Sequence, residues 1–284
     1  MARLEFFGVR GSHPTPNREN LKFGGNTSCV VLYADADVDG KFPLILDLGT
    51  GLTRFAAHQP LDGSFFGTAL LSHLHFDHIQ GLPFFAPIDR KGARLAVYGP
   101  SENGIELAES LRTLIGSPYF PIVLAELSGE IAIETLDGGG IVLDQPGSPK
   151  VVPCLVDHTN ATFAYRIEVD EKVVVFMPDH QAPADNATVK DSVLDLCANA
   201  NILIHDAQYT LAEFAEKAHW GHSTYDYALE VAAQSNVKAL AFFHHDPSRS
   251  DTELESIERH YQDSGSKGAI HVFAAREGKT VQIQ

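Results

Sequence analysis

Within one short stretch, His73-Leu74-His75-Phe76-Asp77-His78, the chain sets down three imidazoles and a carboxylate. In an extended segment, residues two apart point to the same side. His73 and His75 therefore face one point as they leave a strand expected over residues 68–72. Asp77 and His78 follow where the chain turns toward Gly81. Imidazole and carboxylate together suit zinc, iron or manganese, and the lack of a nearby cysteine argues against a structural thiolate site. A lone histidine in a polar loop would be read as capping backbone groups. A cluster of this density at one strand exit needs a shared reason.

These side chains cannot fill the coordination of two metals, so further donors are expected at other strand ends. His158 follows the apolar run 150–155, Asp179 the run 173–177, and His244 the run 239–243. Each stands where a hydrophobic strand gives way to a polar loop. His245 adjoins His244 and either can be the donor; the alternation of Leu240 to Phe243 favours His244. His180 reads equally as a donor behind the site or as an exposed loop residue. His13, His58, His219, His260 and His271 have no partner that the sequence names and read as structural or surface residues.

The elements that must position these groups follow from periodicity. Strands are expected over 3–9, 29–33, 44–48, 94–98, 131–133, 150–155, 162–168, 173–177, 202–204, 239–243 and 270–273. Asp170-Glu171 reads as a hairpin turn. Helices are expected over 102–115, with Ser101 as N-cap and Gly116 as stop, and over 188–198, 209–218, 224–235 and 251–263. Strands dominate early and strand–helix units late, which predicts an α/β (α+β) arrangement of sheets layered against helices. Residues 1–284 read as one domain, with 84–149 a candidate lid or pocket wall.

Composition narrows the partners. The 284 residues carry 37 Asp and Glu against 21 Lys and Arg, a formal net charge of −16. Long nucleic acid is held mainly by cationic side chains on phosphates, so no long nucleic-acid track is expected. A small anionic substrate fits, because bound metal supplies local positive charge. Cys29, Cys154 and Cys197 form no paired framework and read as free thiols in a reducing compartment. No apolar stretch approaches the ~20 residues that span a bilayer. A cytoplasmic protein without membrane contact is expected.

The motifs resemble those of the metallo-β-lactamase superfamily. Besides His73-X-His75-X-Asp77-His78, His158, Asp179 and His244, the segments 7–12, 24–29, Asp47-Leu48-Gly49, His205-Asp206-Ala207 and Gly221-His222-Ser223-Thr224 are most similar to the ribonuclease Z-like branch of phosphodiesterases. The histidine motif is specific for the superfamily, and Gly-His-Ser-Thr narrows it to the branch. The resemblance implies a four-layer αββα sandwich with the site at one sheet edge. It implies two divalent metals, zinc first, with Mn2+ or Fe2+ as alternatives: one on His73, His75 and His158, the other on Asp77, His78 and His244, with Asp179 and a hydroxide bridging. As a ligand beside a metal-bound water, Asp77 also reads as a proton acceptor. The resemblance makes His222 the group that assists the leaving oxygen, oriented by Asp206, where relatives carry Glu. Because Asp is one methylene shorter, whether it reaches His222 is left to the structure. A homodimer is implied by analogy.

The activity implied is phosphodiester hydrolysis. The acidic balance, and the lack of a Gly-rich basic insertion between 159 and 201, point to a small diester such as a cyclic nucleotide. The alternatives are a carboxyl-ester or lactone hydrolase, an RNA 3′-processing endonuclease, and a metal-binding sensor without catalysis.

Overall fold

The computed structural model describes residues 1–37, 39–267 and 270–284, with side chains described outside 263–269. Two seven-stranded sheets face each other. The first runs β14 (Thr280–Gln282), β1 (Arg3–Gly8), β2 (Cys29–Tyr33), β3 (Leu44–Leu46), β4 (Phe66–Leu70), β5 (Arg94–Gly99), β6 (Glu130–Thr135). The second runs β13 (His271–Ala274), β12 (Ala239–Phe243), β11 (Ile202–Asp206), β10 (Lys172–Met177), β9 (Thr162–Val169), β8 (Lys150–Val156), β7 (Ile141–Val142). Helices are α1 (Gly51–Ala56), α2 (Phe76–Ile79), α3 (Leu107–Leu114), α4 (Asp191–Cys197), α5 (Leu211–Lys217), α6 (Tyr225–Gln234) and α7 (Asp251–Lys267). Among the described residues no helix is long and apolar enough to cross a membrane.

Strand alternation builds three apolar layers. Leu4, Phe6, Val30, Leu32, Leu44, Leu46 and Leu70 meet Tyr165, Ile167, Val174, Phe176, Ile204 and Phe243 between the sheets. The opposite faces pack outward. Phe7, Cys29, Val31, Ile45 and Ala69 meet Leu52 and Phe55 of α1 and Leu107 and Leu111 of α3. Val175, Met177, Leu203 and Phe242 meet Val193 and Leu196 of α4 and Ala228 and Val231 of α6. The result is the expected αββα sandwich. Strands covered on both faces read as continuous apolar runs, as Val173 to Met177 does.

β3 to β6 are mutually parallel, as are β10 to β13. The carboxyl ends of β4, β10 and β12, together with that of β8, carry the expected donors or lead directly to them. The hairpin between β9 and β10 turns at Asp170 and Glu171, both at positive φ (51° and 60°), the pairing that suits a tight two-residue turn.

Several expectations need correction. β4 ends at Leu70 rather than at residue 72. His73 and His75 lie beyond it on a segment that stays extended, since Leu71 N–H still bonds Tyr98 O at 2.7 Å and His75 is itself extended. The helix expected over 102–115 begins only at Leu107, and Ser101 caps nothing. Asn103 and Gly104 adopt positive φ and Glu102 pairs with Ile105, which makes a turn of the first four residues. The helix start is satisfied from outside, where Leu107 N–H bonds Thr135 Oγ1 at 3.0 Å. The 84–149 region supplies β5, β6, β7 and α3; outside these, Phe84 and Phe120 pack edge to face at 5.6 Å and Tyr119 is exposed.

Candidate metal centre

The two sheets bring all seven expected donors to one edge. His73 and His75 follow β4, Asp77 and His78 sit in α2, His158 follows β8, Asp179 follows β10 and His244 follows β12. The donor atoms form two close groups, His73, His75, His158 and Asp179, and Asp77, His78 and His244. Asp179 joins them. Its Oδ2 faces His158 Nε2 (3.6 Å) and His73 Nε2 (3.8 Å), and its Oδ1 faces His78 Nε2 (3.0 Å) and His244 Nε2 (3.4 Å). Asp77 Oδ2 lies 3.0 Å from His244 Nε2 and 3.3 Å from His78 Nε2.

Ring nitrogens point at one another, His158 Nε2 at His75 Nδ1 (3.2 Å) and His78 Nε2 at His244 Nε2 (3.3 Å). His73 Nε2 is buried with no hydrogen-bond partner. An orphaned buried nitrogen is costly unless something outside the protein satisfies it. The residues therefore fit divalent cations in both groups.

The remote ring nitrogens are held. His158 Nδ1 donates to Gly221 O at 2.7 Å and His78 Nδ1 to Asp47 Oδ2 at 2.7 Å. Such contacts fix the tautomer and aim the free nitrogen inward. Gly221 must be glycine: it sits at φ 94°, and a Cβ there would lie 2.6 Å from the His158 ring. Asp47 is fully buried and also accepts from Ser28 Oγ (2.8 Å) and from the Ser72 N–H (2.8 Å). The resemblance singles out Asp47-Leu48-Gly49 but not Asp47 as the support of His78. Sequence reasoning also misses Ser12, whose N–H donates to Asp77 Oδ2 at 2.7 Å, and Gln208, whose side-chain amide lies 3.2 Å from His244 Nδ1.

Burial and the neighbouring imidazoles hold His73 and His158 below the usual histidine range and His75 at about 4, so all three offer lone pairs at neutral pH. For His78 burial acts in the same direction, but Asp179, Asp77 and Asp47 outweigh it and raise the value well above normal. Burial alone would raise Asp77 and Asp179; the surrounding imidazoles hold both far below the usual carboxylate range.

His244 and His245 part company at the strand end. His244 takes φ 56°, which swings its ring to the cluster. The His245 N–H bonds Val9 O (3.0 Å) and its Nε2 donates to Ala275 O (2.8 Å), away from the donors. His244 is in the cluster, as favoured, although a left-handed backbone at the strand end rather than simple alternation puts it there. His180 is buried, not an exposed loop residue; its Nδ1 faces His205 Nε2 at 3.3 Å and its ring packs on Tyr227.

The shorter Asp206 reaches His222. His222 Nδ1 lies 2.9 Å from Asp206 Oδ2 and 3.7 Å from Asp179 Oδ2, and its ring stacks on His244 at 4.9 Å. Burial would lower the His222 pKa, but Asp206, Asp179 and Asp77 raise it to about 9.

Residues 49–245 match the family described as the beta-lactamase superfamily domain. The chain belongs to this superfamily. A ribonuclease Z of Natronomonas pharaonis is 26% identical to it, with 99% of this chain and 97% of the relative covered. Among solved structures, the metallo-β-lactamase fold protein YhfI of Bacillus subtilis superposes with a TM-score of 0.71 at 18% identity, covering 99% of this chain and 100% of that one. The short form of human tRNase Z superposes at 0.66 with 20% identity, covering 99% of both chains. The chain is thus a hydrolase of the metallo-β-lactamase fold, similar over its length to proteins named ribonuclease Z.

Proposed function

We propose that the chain hydrolyses a phosphodiester at two divalent metal ions and that the diester is small, such as a cyclic nucleotide. The observation that carries this reading is the His222–Asp206 pair, set 3.7 Å from the shared carboxylate Asp179. Cleaving a diester of two sugar hydroxyls breaks one P–O bond and releases that sugar oxygen as a poorly stabilised alkoxide, so the reaction gains from a proton donor beside the metals. His222 is that donor: Asp206 holds Nδ1, which leaves Nε2 to meet the leaving oxygen.

His73, His75 and His158 would hold one metal, Asp77, His78 and His244 the other, with Asp179 shared. Zinc suits this imidazole-rich set best, with Mn2+ or Fe2+ able to replace it. Bound there, the pair would acidify water and draw off charge developing on the phosphoryl oxygens. Asp77, accepting from the Ser12 N–H, holds an oxygen toward the cluster that can take a proton from attacking water. Asp47 and Gly221 keep His78 and His158 aimed.

The names of the relatives favour a second reading, RNA 3′ processing. Against it stand the net charge of −16 and the stretch 159–201, which holds β9, β10, α4 and their connections with no basic arm. All three cysteines are free, which supports a reducing, cytoplasmic setting. The core shared by both sheets supports residues 1–284 as one domain.

The deciding experiment offers the zinc- or manganese-loaded protein 2′,3′- and 3′,5′-cyclic nucleotides, a tRNA precursor with a 3′ extension, and a lactone. Cyclic nucleotide turnover is expected, falling by about 10²–10⁴-fold in His222→Ala. Bis(p-nitrophenyl) phosphate should lose far less, because nitrophenolate leaves as a stable anion. Efficient turnover of the lactone alone, indifferent to His222, would overturn the proposal.

A further inference from the structure

Beside the donor cluster opens a cleft of about 470 Å3, whose lining includes Ser12, Gln208, Tyr209, Lys217, Trp220 and Asp246. Three of these reach the site. Ser12 bonds Asp77, Gln208 touches His244, and the Tyr209 ring stands edge-on to His222 at 5.9 Å. On the outer wall Trp220 leaves 55% of its surface exposed, although indole is a large apolar group. Lys217 Nζ sits 4.8 Å from the Tyr209 ring centre and 5.6 Å from that of Trp220. Among the described residues it is the only Lys or Arg lining the cleft. The carboxylate Asp246 is already engaged by Ser248 and by Lys217 at 3.5 Å.

A flat aromatic face, a single cation held against it, and polar groups leading inward to a phosphodiester-cleaving centre together match one ligand chemistry: a nucleobase joined through a sugar to a phosphate. We infer that this cleft seats the nucleoside part of the substrate, with the base on Trp220 and Lys217 beside its anionic end. The inference rests on the phosphodiesterase reading and adds to it a base-binding subsite outside the donor set.

Trp220 is the sole tryptophan of the chain, so its emission reports on this cleft alone. The metal-loaded protein is titrated with adenosine 5′-monophosphate, ribose 5-phosphate and inorganic phosphate. Saturable quenching by the nucleotide alone is expected, and Lys217→Met should weaken it about tenfold. In turnover of a cyclic nucleotide, Trp220→Ala should raise KM about tenfold with kcat within about twofold, and Trp220→Phe should restore most of the loss. Equal quenching by ribose 5-phosphate, no quenching by the nucleotide, or an unchanged KM in Trp220→Ala overturns the subsite. Quenching without hydrolysis of any diester would remove the proposed activity and leave the subsite. Hydrolysis indifferent to the base would do the reverse.

Discussion

The donor group at Asp179 Oδ2 holds three imidazoles, His73, His75 and His158, and no second carboxylate, with the His222–Asp206 pair standing just outside it; the group at Asp179 Oδ1 holds His78, His244 and the carboxylate Asp77. The supports differ in the same sense. Behind His158 is a neutral carbonyl, Gly221 O, whereas behind His78 is a third carboxylate, Asp47. The backbone differs too. Asp47, Ser12 and His244, all serving the second group, sit at positive φ without being glycine, at 63°, 62° and 56°. Such positions cost of order 1–3 kcal/mol each and persist only when the surroundings enforce them. The first group spends a glycine, Gly221, where it needs such a conformation. The second half is therefore the more anionic and the more tightly constrained, and a dication should be held harder there.

The largest effect is expected where both halves meet. Asp179→Ala removes an oxygen from each group, so activity should fall by more than ~10³-fold and neither metal should stay at full occupancy. Elemental analysis after gel filtration reads the second outcome. If two metals per chain survive, Asp179 is not shared. The halves themselves separate under graded chelation. His75→Ala should retain one tightly held metal, while Asp77→Asn should lose the tight metal first; the opposite order would reverse the comparison.

Asp47→Asn tests the support behind the second half without touching a donor. It keeps the shape but removes the charge that holds His78 Nδ1–H. Metal affinity should fall by about 10–100-fold, with the loss confined to the tighter of the two binding events.

Much of this was legible in the chain and some was not, for identifiable reasons. The donors of 73–78 are adjacent in sequence, and His158, Asp179 and His244 each close a long apolar run that announces a strand. The supports are contacts across the fold, such as Ser12 N–H to Asp77 or Gly221 O to His158, and backbone groups have no sequence signature. Among elements, α1, α2, β7 and β14 are too short to show a period; β14 exists because it pairs with β1 from the other end of the chain. Spacing alone puts the start of α3 too early, because apolar residues continue through Ile105 while Asn103-Gly104 turns the backbone.

A smaller effect concerns pH. The His222 pKa of about 9 in the fold lies above the ordinary histidine value of ~6.5. Its pairing with Asp206 thus stabilises fully below ~6.5 and is lost as pH rises through about 9. In metal-free protein, wild type should be more stable than Asp206→Asn at pH 6, with the gap narrowing steadily by pH 9 to 10. Thermal unfolding at matched pH values reads this, and a gap that widens with pH would mean that His222 is neutral in the fold.

The smallest effect on chemistry separates two neighbours. His245 is fully buried, and burial, reinforced by Arg10, holds its pKa at about 3, so it is a neutral donor to Ala275 O. His245→Leu should therefore leave metal content at wild-type level and kcat within about twofold, while unfolding free energy drops by roughly 1–3 kcal/mol for the unpaired carbonyl. His244→Leu should show the reverse pattern, loss of metal from the second group. It also removes a side chain from a position held at φ 56°, where histidine is better tolerated than a bulky apolar residue. If His245→Leu loses metal and His244→Leu does not, the left-handed turn at the end of β12 does not choose the donor, and the second half must be rebuilt around the other ring.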